Sequence, residues 1–568
     1  MAVMTAMRLF AAAVAAAAVI GLAGCASTPP PQDKTHHEDA GTQTVVAEIA
    51  LERGDCRSAS DGYAAAARNG TTALARRASE VGLACENLPA AWQSVERWRA
   101  TAPEDPNAAV AYGTVALKLY KIPEARGALA PVFKTADPGA QKDLVALIEL
   151  LAQEADATAT FAALDDTVGS AAPSPSPPVM VALGDLALRA YDFNRAEHHA
   201  RDALTHDAGS VTAMRVLARL SILRGDAPAA IAAAREVMHI DDANGDASGK
   251  FELADVLTEL DRLEEARQEL ERLRAAGAGG DEIDRRLALI AFQSGDLKEA
   301  RRRFADLIDR GEASDAALFY LADIASRTGD KEAALAAYRE LADSSMAVEA
   351  RTRAAGLLLD RSERRAALEL LDSYATAHPE STFDLTLAKA HLLADHGDAE
   401  GGSTLLSAAL ERYPHHPTLE YERATLLERA GHVHESVQAF ERLLTERPDD
   451  PTLQNALGYT LADHGLELSR AETLIRRALT VTPDSPAVLD SLGWVRLRRG
   501  DARGAVPTLE RAYTIGRDSE IAAHWGEALW LSGSQTQARK VWAAALAHEP
   551  DSDVLKATLH RLLPQEHP

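Results

Sequence analysis

Residues 483–516 read PDSPAVLDSLGWVRLRRGDARGAVPTLERAYTIG, and these 34 residues decide the fold. Gly493 sits inside an apolar stretch; Gly500 and Asp501 interrupt it seven and eight residues later; Ala505 and Leu509 follow at offsets of twelve and sixteen. A glycine can end a helix in the left-handed conformation, and an aspartate directly after it can cap the next one. The segment therefore predicts helix, tight turn, helix. Small residues at 493 and 505 predict two helices in close approach, with Leu509 filling the gap against the next hairpin. Pro483 predicts the stop of the preceding helix.

The same register recurs along the chain. Small residues stand at Gly184, Ala218, Ala254, Ala288, Ala322, Ala355, Ala390, Ala424, Gly458, Gly493 and Gly526, spaced by 33 to 36 residues. Twelve residues after each, the side chain is again small, save at Arg470, where one inserted residue moves the alanine to Ala471. Glycine occupies the turn in eight of these eleven units. Agreement at several independent offsets marks a true repeat. A helix–turn–helix unit of about 34 residues resembles the tetratricopeptide repeat, and the resemblance covers residues 178–550. The expected fold class is all-α, a tetratricopeptide-repeat superhelix of about eleven repeats over 180–568, closed by a capping helix from Asp553 to Leu563. The pattern continues in eroded form over 44–170, predicting an N-terminal module of degenerate hairpins. Between the two arrays, 171–179 includes Pro173-Ser174-Pro175-Ser176-Pro177-Pro178, which reads as a stiff extended spacer and a break between modules.

Composition narrows the function. The chain carries 60 basic and 85 acidic residues, a formal charge of −25, and such a field repels phosphate backbones. Nucleic acid is not an expected partner. At the N-terminus, Arg8 is the one charge before an apolar run from Leu9 to Gly24, ending Leu22-Ala23-Gly24-Cys25. This describes a secretory signal over 1–24. A membrane helix with a chance cysteine is the alternative, and the run is short for a span. The Leu-Ala-Gly-Cys end resembles the bacterial lipobox. That resemblance implies a lipid-modified Cys25 and, with Ala26 and Ser27 in place of aspartate, outer-membrane anchoring facing the periplasm. Residues 25–43, with Pro29-Pro30-Pro31, then read as a lipidated tether. Two other cysteines remain. Cys56 begins the second helix of one unit and Cys85 lies on the first helix of the next, so one disulfide is expected in an oxidising compartment, with two buried thiols as the alternative.

Motifs for catalysis are absent from the sequence: no HExxH, no glycine-rich phosphate loop opening a helix, no GxSxG turn. No catalytic residue, metal ligand or cofactor is expected. The pairs His36-His37, His198-His199, His415-His416 and His432 with His434 lack matching ligands and read as solvated. Function in a solenoid resides mainly on the face lined by first helices. There the register places Tyr421, Asn455, Tyr459, Trp494, Glu527 and Trp530, either as a peptide-binding groove or as packing between repeats and under the capping helix.

The segments NALGYTLADHG, PDSPAVLDSLGWVRLRRGD, EIAAHWGEALW and ARKVW, within 452–546, together with the lipobox, resemble outer-membrane tetratricopeptide lipoproteins of gammaproteobacterial type. One family of these comprises adaptors of a periplasmic carboxyl-terminal processing protease. The resemblance implies a non-enzymatic scaffold that binds a PDZ-containing serine protease and its peptidoglycan hydrolase substrates. A scaffold for polysaccharide export or outer-membrane assembly, or an unrecognised cell-wall enzyme, are the competing readings.

Overall fold

The computed structural model describes residues 40–134, 141–169, 176–244, 248–277, 279–311, 314–550 and 552–563. The signal segment, Cys25 and the tether through residue 39 lie outside the described residues. Among the described residues there is no strand. Helix follows helix from Ala40–Glu52 to Asp553–Leu562, as fifteen antiparallel hairpins and a terminal helix. Eleven hairpins start at or after Pro177 and four precede it. The first helix begins at Ala40, inside the span expected to be tether.

The turns explain the hairpins. Gly225, Gly295, Gly329, Gly397, Gly431, Gly465, Gly500 and Gly533 all have positive φ. The three units without glycine hold the same left-handed turn on Tyr191, Asp261 and Ser362, at φ of 55°, 60° and 62°. Packing of the two helices imposes the turn even where the residue resists it. After the turn, Asp226, Asp296, Asp330, Asp398 and Asp501 each accept a hydrogen bond from the backbone N–H three residues on. Each cap satisfies a donor that the first turn of a helix leaves open.

The bulky residue sixteen positions after the anchor packs against the next hairpin as expected, as where Phe304 stacks on Tyr320 with centroids 4.9 Å apart, and it makes a second contact as well. It lies over the anchor of its own hairpin: a Cβ on Gly493 would stand 2.4 Å from Leu509 Cγ, one on Gly113 2.6 Å from Leu129 Cγ, and one on Gly526 2.0 Å from Trp542 Nε1. The antiparallel path returns the second helix over the first, so offset sixteen is also a contact within the hairpin. Stacking then joins these plugs into a run of buried clusters along the array.

Pro177 and Pro178 open the helix Pro177–Arg189. Proline is tolerated in a first turn, where its missing N–H has no partner to lose. One hydrophobic cluster runs unbroken from Ala116 through Leu164, Leu183 and Leu220, so the hairpins on either side of the proline-rich segment share a core. The spacer expected at 171–179 thus gives up its last residues to the following repeat, and 170–175 lie outside the described residues. Upstream, Cys56 and Cys85 have Cα atoms 5.2 Å apart and are joined by a disulfide that closes over the first two hairpins.

The stack curls through a full turn and meets itself. Asp484, between two late repeats, donates its N–H to the Tyr191 carbonyl at 3.0 Å, and its Oδ2 accepts the Phe193 N–H at 2.9 Å. Arg511 pairs with the other carboxylate oxygen. Farther along the seam, His416 Nε2 stands 3.3 Å from Glu86 Oε2 and Arg57 donates to the Glu411 carbonyl. At the opposite end, Ile515 packs on the cluster that holds Leu220, and Thr514 crowds Gly225. Partners separated by 289 to 354 residues therefore touch. The turns inside N-terminal hairpins rest on the loops between late repeats.

Candidate functional site

The first helices of the late repeats, Pro417–Arg429, Pro451–Asp463, Pro486–Arg498 and Ser519–Leu531, carry the six residues singled out from sequence. Trp494 is 6% exposed; its indole N–H donates to Asp463 Oδ1 at 3.1 Å, and its ring stacks on His524 with centroids 4.1 Å apart. Tyr459 donates its hydroxyl to Glu520 Oε1 at 2.5 Å, two repeats further on. Glu527, also 6% exposed, accepts both arms of Arg561 from the terminal helix, at 2.7 and 2.6 Å. Trp530 leans on Trp542, centroids 5.9 Å apart, under the Arg539 guanidinium.

Trp494, Tyr459 and Glu527 therefore pack between repeats and beneath the cap, and Trp530 packs within its own hairpin. A bidentate arginine–carboxylate pair is among the stronger ion pairs and fixes the geometry of both side chains. Tyr421 and Asn455 differ. Tyr421 meets Phe440 edge-on at 5.7 Å and lines a cavity, and burial with Glu422 and Asp450 nearby pushes its phenol up to about 12. Asn455 Oδ1 is buried with no hydrogen-bond partner among the described residues.

Asp490 and His524 were missed, although they sit at the centre of the buried network. Both carboxylate oxygens of Asp490 lie 3.0 Å from His524 Nδ1. Burial opposes a charge on the imidazole, but Asp490, backed by Glu520 and Glu527, holds its pKa above the ordinary value. Asp490 precedes its anchor by three residues, the register of Tyr421 and Asn455, so that position was legible. The place of His524 against Trp494 was not, because it depends on the stacking angle of the next repeat.

Two histidines expected in solvent are buried as well. His199 Nε2 is 2.6 Å from Asp165 Oδ1, and His416 faces Glu86. Glu428, Asp463 and His464 bring three potential metal-ligand atoms within 4.8 Å of one another. His464 Nε2 already sits 2.7 Å from Glu428 Oε1. Equivalent pairs join Asp360 to His396 and Asp395 to Arg429 in earlier repeats, so this set reads as a rung in a ladder of ion pairs.

The seam between the two turns of the coil holds the concavities of interest. One, of about 900 Å³, lies between Ile122–Arg126 and Glu446–Asp449. A second, of about 470 Å³, is lined from both turns and shares Tyr120 and Arg447 with the first. Both fall within or near the size range of ligand clefts. Among the described residues no helix is long and apolar enough to cross a membrane.

Fold and site together define a helical-repeat scaffold, built to present surface to other proteins. Within the array, the family profile described as tetratricopeptide repeat matches residues 181–247, 285–349 and 387–451. TPR repeat-containing protein PA4667 of Pseudomonas aeruginosa is 31% identical over 219 residues, a match that takes in 39% of this chain and 37% of that protein. Among solved structures, a thermophilic TPR protein of Thermus thermophilus is 21% identical, over 32% of this chain and 97% of its own, with a TM-score of 0.29. A tetratricopeptide repeat protein of Parabacteroides merdae is 20% identical over 44% and 98%, with a TM-score of 0.32. The APC/C hetero-tetramer Cut9–Hcn1 is 14% identical over 92% and 96%, with a TM-score of 0.30.

Proposed function

We propose that this chain is a lipid-anchored scaffold of the outer membrane, facing the periplasm, that acts as the adaptor of a carboxyl-terminal processing protease. In this reading it holds a PDZ-containing serine protease on one surface and peptidoglycan hydrolases on another. The observation that carries the reading is the uninterrupted stack of hairpins, which offers outer surface, inner surface and seam along a single chain. A rigid scaffold of this kind needs no catalysis of its own. Holding enzyme and substrate together raises the effective concentration of one near the other, reaching the millimolar range for short tethers. Lipid on Cys25 would confine that encounter to the membrane surface beside the wall. Further support comes from the late-repeat segments 452–546 and the lipobox, whose likeness to such lipoproteins extends to several separate stretches.

Affinity purification of the full-length chain from native envelopes tests the proposal. A PDZ protease and wall hydrolases should be recovered together, and deletion of the gene should raise the steady-state level of those hydrolases. Recovery of secretion or assembly components in their place, or unchanged hydrolase levels, would refute it.

A further inference from the structure

The disulfide lies beside the seam. Cys56 opens the helix Cys56–Ala67, and Cys85 directly follows the helix Thr72–Ala84. The neighbours of both half-cystines reach across to the end of helix Ala399–Arg412 and the loop after it. Arg57 donates to the Glu411 carbonyl, and Glu86 Oε2 stands 3.3 Å from His416 Nε2. On the other side of Cys56, hydrogen bonds from Ser58 hold the Asp55 carboxyl below its usual range, and Arg412 across the seam adds to the effect. Residues flanking the two sulfurs thus address a single stretch, 411–416.

Other contacts hold these hairpins together besides the bond. Ala59, Tyr63, Val81 and Trp98 share one apolar cluster, and Asn87 Nδ2 donates to Ser60 Oγ and Asp61 Oδ1, both at 2.8 Å. What the bond adds is a fixed spacing between the positions of Arg57 and Glu86, with the cysteine Cα atoms 5.2 Å apart. The two sulfurs also differ in access. Cys85 is 4% exposed, whereas Cys56 is half-buried. Cys56 is the first residue of its helix, where open backbone N–H groups favour a thiolate.

We propose that the Cys56–Cys85 disulfide is a redox site that sets the closure of this end of the seam. Oxidised, it aims Arg57 and Glu86 at residues 411–416; reduced by a protein dithiol, it releases that contact while the hairpins stay folded. One thiolate of the dithiol attacks the accessible Cys56 sulfur, the S–S bond breaks, and Cys85 leaves as a thiolate and takes a proton. The second thiolate of the reductant then forms the reductant's own disulfide and expels Cys56, the better leaving group at its helix terminus. Two electrons and two protons pass to the cysteines, and the dithiol ends as a disulfide. Oxidation and seam closure favour one another, because each biases the same two-state contact. The proposal is separate from the adaptor reading, since it concerns the pure chain alone.

Amide hydrogen exchange of the full-length chain in detergent tests it, read peptide by peptide before and after dithiothreitol without denaturant. Alkylation at positions 56 and 85 reports the extent of reduction. Both cysteines should become alkylated, and peptides covering 411–420 should exchange about tenfold faster, while 59–67 and 486–498 keep their rates. The double variant Arg57→Ala with Glu86→Ala should show the same increase at 411–420 with the disulfide intact. A bond that resists dithiothreitol, unchanged exchange at 411–420 after reduction, loss of protection over 59–67, or a double variant without effect would each overturn the proposal.

Discussion

Gly526 has no side chain because Trp542 leaves room for none. A Cβ there would fall 2.0 Å from the indole Nε1, inside the buried ring that plugs the last hairpin. Gly184 occupies the same register, yet its neighbours, the Ala196 carbonyl and Val216, stand 3.5 Å from a built Cβ, in ordinary contact. The difference lies sixteen residues on, where Ala200 replaces the large plug. Gly526→Ala should therefore cost about 3 kcal/mol, the upper end of overpacking penalties, whereas Gly184→Ala should be neutral or gain up to about 1 kcal/mol through helix propensity. Urea unfolding of both variants checks this; equal effects would mean that the anchors do not govern hairpin packing. Both outcomes were readable from residue spacing once the plug was assigned to its own hairpin. The buried roles of Trp494 and Glu527 were not, since a residue one position past the anchor faces the groove or the next repeat according to a few degrees of stacking.

Between elements, the contact of helices Pro486–Arg498 and Ser519–Leu531 is electrostatic as well as apolar. The Asp490 carboxylate meets His524 Nδ1 in a buried setting and keeps the imidazole charged beyond its usual range. A folded-state pKa raised above the unfolded one stabilises the protonated native form. That contribution is complete below about 6.5, the unfolded value, and is lost as pH rises through the higher folded value. Urea midpoints followed by tryptophan emission, with four of six tryptophans lying at 494 or beyond, should fall as pH is raised above about 6.5. Asp490→Asn should flatten that dependence; a slope that persists would place the titrating group elsewhere. The helices and turns joined here were legible because each hairpin repeats one local recipe. Tyr191, Asp261 and Ser362 show its limit, adopting the glycine turn because the flanking helices require it.

For the whole molecule, the seam makes a closed coil out of what would otherwise be an open spring. Asp484, 5% exposed, is its clasp: it reaches Tyr191 and Phe193 through backbone hydrogen bonds while Arg511 holds its free oxygen. Asp484→Ala removes the acceptor of a buried N–H, a loss of about 1–3 kcal/mol concentrated at one contact, while Arg511, whose side chain is half exposed, turns to water at little cost. Small-angle scattering should record a larger radius of gyration for the variant, with helix content unchanged. An identical radius would show that apolar contacts such as Ile515 hold the seam unaided.

Helix, turn, cap and close-packed hairpin all follow from spacings within one unit of about 34 residues, because in a solenoid each repeat touches little beyond its neighbours and local order suffices to specify it. The union of Asp484 with Phe193, the cavity lined from both turns and the continuity of core past Pro177 follow from no such window. They arise from small rotations added repeat upon repeat until the chain returns to itself, and a sum over nearly three hundred residues is carried by geometry in three dimensions.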